Sequence, residues 1–257
     1  MSLSDPVFIK ATVREPRLVE NSLLVFKTLR VGFPANDVKV FTDHSYVVDA
    51  AENTGCDRVD DFGSHWEWLS SLLADQDRPF WICDTDVIFY EAINPEQMGV
   101  LTGPFEPGHF NPYTKAWHAP RLHTCLMRID PVRVRQKLDE FWTARPGTPW
   151  VSRHELVSQQ WIPGPPLTFH DTMSRLYAAI GGVAFDHKTL DAFTHLHAGT
   201  FVDLLTVAYP EMAKAQEHFR NHPDEARGLW RTQLAAQRSH RPKQQLAADP
   251  LAVHSLE

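Results

Sequence analysis

Asp84 and Asp86 stand two residues apart in Cys83-Asp84-Thr85-Asp86, between the apolar runs Phe80-Trp81-Ile82 and Val87-Ile88-Phe89-Tyr90. At period two, both carboxylates project to the same side of an extended chain. Placing two like charges where a strand leaves the core costs on the order of several kcal/mol each unless a counter-charge is supplied. A divalent cation answers that cost, because hard oxygen ligands suit Mg²⁺ and Mn²⁺. The expected chemistry is therefore a cation on Asp84 and Asp86; if the phosphates of a nucleotide diphosphate supply the remaining ligands, the site would transfer whatever that diphosphate carries. His195 and His197 share the same spacing and precede Gly199, where backbone can approach a ligand closely. One of them is the expected nitrogen ligand; His197 comes first because it lies nearer the glycine.

Further candidates follow from position. Thr12 and Arg14 come after the strand Val7-Phe8-Ile9, and Thr42-Asp43 end the strand Val38-Lys39-Val40-Phe41. Loops there would meet a base and ribose in a nucleotide-binding α/β half. His170-Asp171-Thr172 follows Pro165-Pro166 at the expected start of a helix over 170–180. Asp171 there suits two roles equally, a helix-start acid favoured by the macrodipole or a general base toward an acceptor hydroxyl.

The elements that position these residues are legible in outline. Between the first two strands, Val19, Leu23 and Phe26 recur at helical spacing until Gly32 and Pro34 intervene. A strand, a helix and a strand open a parallel α/β sheet. Helices are expected over Tyr46 to Asn53 and Ser64 to Ala74, the latter with Ser64 and Glu67 as a capping box. It leads into the strand Phe80-Trp81-Ile82-Cys83, whose carboxyl end carries the Asp pair. From 102 to 120 the pattern breaks into glycines, prolines and aromatics, as it does again from 145 to 166. Long loops in compact domains are usually functional, and these two would stack on a sugar through Tyr113, Trp117, Trp150 or Trp161. Arg121 to Ile129 resumes as a strand, and Asp130-Pro131 caps a helix.

Composition bounds the class. At 257 residues, with 43% hydrophobic and 22% charged content, the chain has the make-up of an ordinary globular protein. A net charge of −7 argues against a nucleic-acid partner held by phosphate contacts. No run approaches the roughly 20 apolar residues of a membrane span, and no signal-peptide pattern opens the chain. Cys56, Cys83 and Cys125 are an odd number without CxxC spacing, expected as buried thiols of a reducing, cytoplasmic setting. Beyond about 214 the chain turns polar, so the expected organisation is one domain over 1–213 and a helical extension over 214–257. The final Leu256-Glu257 is set aside as a cloning remnant.

The opening strand–helix–strand, the strand-borne Asp84-Thr85-Asp86, the segment Leu122 to Pro131 and the late His195-Leu196-His197-Ala198-Gly199-Thr200 resemble the nucleotide-sugar glycosyltransferases of GT-A fold. The resemblance covers roughly residues 7 to 205. It implies a Rossmann-like mixed sheet flanked by helices, and Mn²⁺ or Mg²⁺ bound with the sugar nucleotide at the Asp-x-Asp. Asp86 would be the surest ligand, and a late histidine would complete the shell. It also implies a donor of nucleotide-diphosphate-sugar type, a UDP-sugar first among them, and a carbohydrate or small-molecule acceptor. The Lys-Pro-Trp that ends the signature of one retaining branch is missing. The Gln-x-x-Arg-Trp of processive synthases is missing too, and for that reason a polymer synthase is not expected. Inversion and retention both stay open. A haloacid dehalogenase-type phosphohydrolase fits less well, because two strands precede the motif and Ile88 stands where Thr or Val is usual. The remaining alternatives are a sugar nucleotidyltransferase, whose Gly-rich first loop is absent, and a metal-dependent carbohydrate-binding protein without turnover.

Overall fold

The computed structural model describes residues 5–11, 23–42, 45–59, 63–111, 115–146 and 151–195, with five positions between 221 and 228. The chain is of mixed α/β class, built on a mixed sheet with helices along it. Two compact units interleave along the sequence. One comprises Met1–Phe62, Trp81–Glu96 and Asp186–His240; the other comprises Gly63–Phe80, Gln97–Phe185 and Arg241–Glu257. The boundary expected at 213/214 lies outside the described residues.

In the first unit, strands β1 (Val7–Lys10), β2 (Val38–Phe41), β3 (Asp57–Val59) and β4 (Phe80–Cys83) pair in parallel, in the order β4-β1-β2-β3. β1 lies inside this run, and Val7, Phe8 and Ile9 are buried as a near-continuous apolar stretch, as parallel strands covered on both faces require. Helix α1 (Leu24–Gly32) and helix α2 (Ser45–Asn53) make the crossovers β1–β2 and β2–β3. The expected strand–helix–strand opening is therefore present. β3 was not anticipated: Asp57-Arg58-Val59 is short and mostly exposed, so it lacks the hydrophobic signature of a strand. After β4 come β5 (Val87–Phe89) and, much later, α7 (His187–Asp191) and β15 (Phe193–His195). β15 pairs antiparallel with β5, placing His195 opposite Val87 and Phe193 opposite Phe89.

α1 packs on β5 closely. A Cβ on Gly32 would sit 2.5 Å from two ring carbons of Phe89, and that ring also meets Phe33 edge-on at 5.4 Å. The Phe89 amide donates to Thr28 Oγ1 at 2.9 Å. Two residues past the helix cap Leu23, the Val25 N–H donates to the carbonyl of Thr85 at 3.0 Å. A helix start without a side-chain cap thus satisfies one of its open donors on the backbone between the two aspartates.

The second unit holds helix α3 (His65–Asp75), which has the expected capping box: Glu67 N–H donates to Ser64 Oγ, and Ser64 N–H donates to the Glu67 carboxylate at 2.7 Å. α3 buries Trp68, Leu69, Leu72 and Leu73. Strands β6 (Leu101–Gly103), β11 (Leu126–Ile129) and β14 (Val183–Ala184) run in the order β14-β6-β11, with β6 parallel to β14 and antiparallel to β11. Helix α4 (Pro131–Thr143) is capped by Asp130 and carries Pro131 in its first turn, as expected. The stretch 102–120 is not a loop. It contains the end of β6, then β7 (Phe105–Glu106), β8 (His109–Asn111) and β9 (Ala116–His118). Each strand is two or three residues long, too short for period-two patterning to stand out from its turns. Helix α5 (Arg153–Val157) and β12 (Gln160–Ile162) occupy the stretch 145–166 in the same way, and Arg121 to Ile129 is split into β10 (Arg121–Leu122) and β11. The helix expected over 170–180 starts later: Thr168–His170 form β13, and helix α6 spans Ser174–Ile180. Thr168 and Phe169 have the side chains strands favour and find partners on both sides, in β9 and β12.

Replacing Gly32 by Ala should force the Phe89 ring aside and destabilise the fold by about 1–3 kcal/mol, the usual cost of overpacking. A melting temperature several degrees lower, recovered in part by Gly32→Ala with Phe89→Leu, is the expected outcome. An unchanged melting temperature would show that the contact yields freely.

Candidate metal centre

β4 ends at Cys83, the chain passes Asp84-Thr85-Asp86, and β5 departs at Val87. Because β15 runs antiparallel to β5 with His195 opposite Val87, the imidazole arrives beside the carboxylate that immediately precedes Val87. His195 Nε2 lies 3.2 Å from Asp86 Oδ1 and 4.0 Å from Asp84 Oδ2. Asp86 and His195 are buried, at 3% and 7% exposure, whereas Asp84 remains partly open. One donor atom from each of the three lies within 4.8 Å of the others, an arrangement able to hold a metal ion.

The donor set fits a divalent cation of the Mg²⁺–Mn²⁺ kind. Adjacent ligands of an octahedral ion with bonds of about 2.1 Å lie roughly 3 Å apart, close to the separation of the Asp86 and His195 donors. One imidazole among carboxylates shifts preference from Mg²⁺ toward Mn²⁺. Cys83 does not add a thiolate. Burial, and then the neighbouring Asp84 and Asp86, push its thiol well above the ordinary range, and Sγ donates to the Asp84 carbonyl at 3.3 Å. The α1 terminus bonded to Thr85 also favours negative charge beside it.

Other expected site residues fall as follows. His197, Thr12, Arg14 and Asp43 lie outside the described residues, as do Tyr113 and Trp150. Thr42 is buried, and its N–H donates to the Val59 carbonyl at 3.1 Å. Asp171, in the second unit, follows β13 directly and is separated from α6 by Thr172 and Met173, so it is not the cap of that helix. Its Oδ2 is 2.7 Å from Arg121 Nη1, while Oδ1 accepts from Gln159 Nε2 at 2.8 Å and from Thr172 N at 2.7 Å.

Arg121 was not anticipated. It is buried on β10 and also donates through Nε to Glu106 Oε2 at 2.8 Å, its register partner on β7. Burial alone would lower its pKa, but Asp171 and Glu106 together raise it, so the guanidinium stays charged. Only the β7–β10 pairing brings Glu106 to Arg121, and a stretch taken for a loop hides that pairing. Beside Asp171, His170 is buried, and desolvation, with the Arg175 guanidinium second, lowers its pKa to about 4.

The three cysteines are free and buried, as expected. Among the described residues, no helix is long and apolar enough to cross a membrane.

No protein-family model matches the chain, and no curated protein matches it in sequence. Solved structures give remote likenesses. The WbbM bifunctional glycosyltransferase is 7% identical with a TM-score of 0.33; the match covers 55% of this chain, which spans about a third (34%) of that one. A Bacillus anthracis protein described as a glucose-1-phosphate thymidylyltransferase, in complex with sucrose, is 13% identical over 82% of this chain and 96% of that one, with a TM-score of 0.34. The mannosyltransferase PcManGT from Pyrobaculum calidifontis, in complex with GDP-Man and Mn²⁺, is 14% identical over 92% of this chain and 76% of that one, with a TM-score of 0.31. Likenesses this remote carry no argument, and the fold class rests on the strand pairings themselves.

Two outcomes follow from this geometry. Mn²⁺ at about 100 times its dissociation constant should stabilise the protein by about 2.7 kcal/mol, raising the melting temperature by several degrees. Asp86→Asn and His195→Ala should each lose most of that shift; a full shift in both would place the cation elsewhere. For His170, the unfolded side chain titrates near 6.5 and the folded one near 4, so the unfolded state binds more protons between those values. Stability should therefore fall as pH drops from about 6.5 toward 4, and His170→Gln should flatten that part of the profile. Parallel profiles for the two proteins would contradict a neutral buried imidazole.

Proposed function

We propose that the chain is a metal-dependent glycosyltransferase that moves a sugar from a nucleotide-diphosphate sugar, a UDP-sugar first among the donors, to an acceptor hydroxyl. The observation that carries this reading is the convergence of Asp84, Asp86 and His195 at the carboxyl end of β4. That is the end of a parallel strand where α/β sheets bind ligands.

In this reading Asp86 and His195 hold the cation from the buried side, and the partly open Asp84 faces the nucleotide. The bound cation would neutralise charge developing on the diphosphate as the anomeric C–O bond breaks. Backbone around Thr85, fixed by the α1 amide, keeps the two carboxylates in place through the reaction. Thr12, Arg14, Thr42 and Asp43 are proposed to line the base and ribose, and His197 is kept as a further candidate ligand. For an inverting transfer, Asp171 takes the proton of the acceptor hydroxyl while that oxygen bonds to the anomeric carbon and the nucleoside diphosphate leaves. A carboxylate has about four acceptor positions, and three contacts from Arg121, Gln159 and Thr172 leave one for a substrate hydroxyl.

The test is donor turnover with Mn²⁺ across a panel of nucleotide sugars, followed by release of the nucleoside diphosphate. EDTA and Asp86→Asn should each abolish it. Asp171→Asn should lower transfer by roughly 10²–10⁴-fold, the usual worth of a general base, with donor affinity unchanged. Turnover that survives EDTA would overturn the metal-dependent reading. A product that retains the donor's anomeric configuration would remove Asp171 from the base role.

A further inference from the structure

In the second unit, β12-β13-β9-β8 form a separate four-stranded sheet, and one row across it consists entirely of rings. Trp161 is the register partner of Phe169, Phe169 of His118, and His118 of His109. Directly paired residues share a face, and the ring centroids follow one another at 4.5, 5.0 and 5.1 Å. Trp161 is 52% exposed, and the other three are half-buried, so the row is open to solvent. At strand spacing it runs about 14 Å.

We propose that this row is a binding platform for a neutral oligosaccharide. A pyranose presents flat C–H faces, which pack on aromatic rings, and hydroxyl edges, which need hydrogen-bonding groups at the margin. Both are available here. Imidazoles form half the row, and Asp171, Glu106 and Arg121 lie close enough to His118 to influence its titration. Two carboxylates against one guanidinium disfavour a polyanionic chain such as a nucleic acid. The length suits several linked sugars rather than one. A row of four side chains is also far short of the roughly 1,200–2,000 Å² that a stable interface with a second copy buries. Desolvation, then His109, lowers the pKa of His118, in keeping with a neutral His118 ring able to sit under an uncharged ligand. A role for the platform in receiving the acceptor rests on the transferase reading; saccharide binding does not.

The experiment is a fluorescence and calorimetric titration of the whole protein with cello-, malto-, xylo- and chito-oligosaccharides of one to six sugars, in EDTA and without nucleotide. At least one series should bind more tightly as the chain lengthens to three or four sugars. Trp161→Ala and Phe169→Ala should each weaken that binding about tenfold or more. Phe110→Ala, an exposed ring on the opposite face, should leave it unchanged, and melting curves of the variants identify any loss that comes from unfolding. No binding by any series, or equal binding by wild type and a folded Trp161→Ala, would overturn the proposal. So would self-association abolished by Trp161→Ala, which would make the row an interface between copies. Saccharide binding that persists while no nucleotide sugar is turned over would support the platform and count against the transferase reading alone.

Discussion

A carboxylate as buried as that of Asp86 has to be compensated, and the first unit is arranged around that requirement. β4 delivers the aspartate from the parallel sheet, and β15 returns from about a hundred residues later to set His195 3.2 Å away. Without a bound cation, that contact is an imidazole–carboxylate pair. With one, the same two atoms are spaced as neighbouring ligands. The pairing of β5 with β15 therefore determines whether the Asp-x-Asp is a site at all. Phe89, opposite Phe193 on those strands, is clamped by Gly32, Thr28 and Phe33. Packing on α1 and the geometry of the centre are thus one structural problem, solved by a single short strand.

Much of this was legible in the sequence, for identifiable reasons. β1 and β4 are short apolar runs, β2 alternates buried valines with an exposed Lys39, and the α3 and α4 starts carry capping residues whose hydrogen bonds are local. Local signals predicted local structure well. What failed was non-local. Strands of two or three residues between Leu101 and His118 cannot display periodicity, so their stretch resembled a loop. His170, expected to open a helix, instead ends the strand Thr168–His170, which β9 and β12 flank. The two compact units interleave along the chain, so no composition change could announce them.

The candidate centre shows the same division. Asp84 and Asp86 were identifiable from spacing and flanks alone. His195 and His197 were equivalent in spacing, and a glycine nearby could not reveal which strand register would form; pairing with β5 brings His195 in. Arg121 lacked any signal, since its importance lies in carboxylates contributed by β7 and by the turn after β13. The imidazole and indole row is similar: His109, His118, Trp161 and Phe169 are scattered over some sixty residues and align only through three separate strand pairings.

The central claim is that Asp84, Asp86 and His195 hold one divalent cation. Anomalous diffraction at the manganese edge, from crystals grown with Mn²⁺, tests it most directly. The account predicts a single strong peak within about 2.0–2.3 Å of a carboxylate oxygen of Asp86 and of His195 Nε2, absent from crystals of Asp86→Asn. A protein saturated with Mn²⁺ whose peak lies away from these three side chains, or that shows none there, would contradict it.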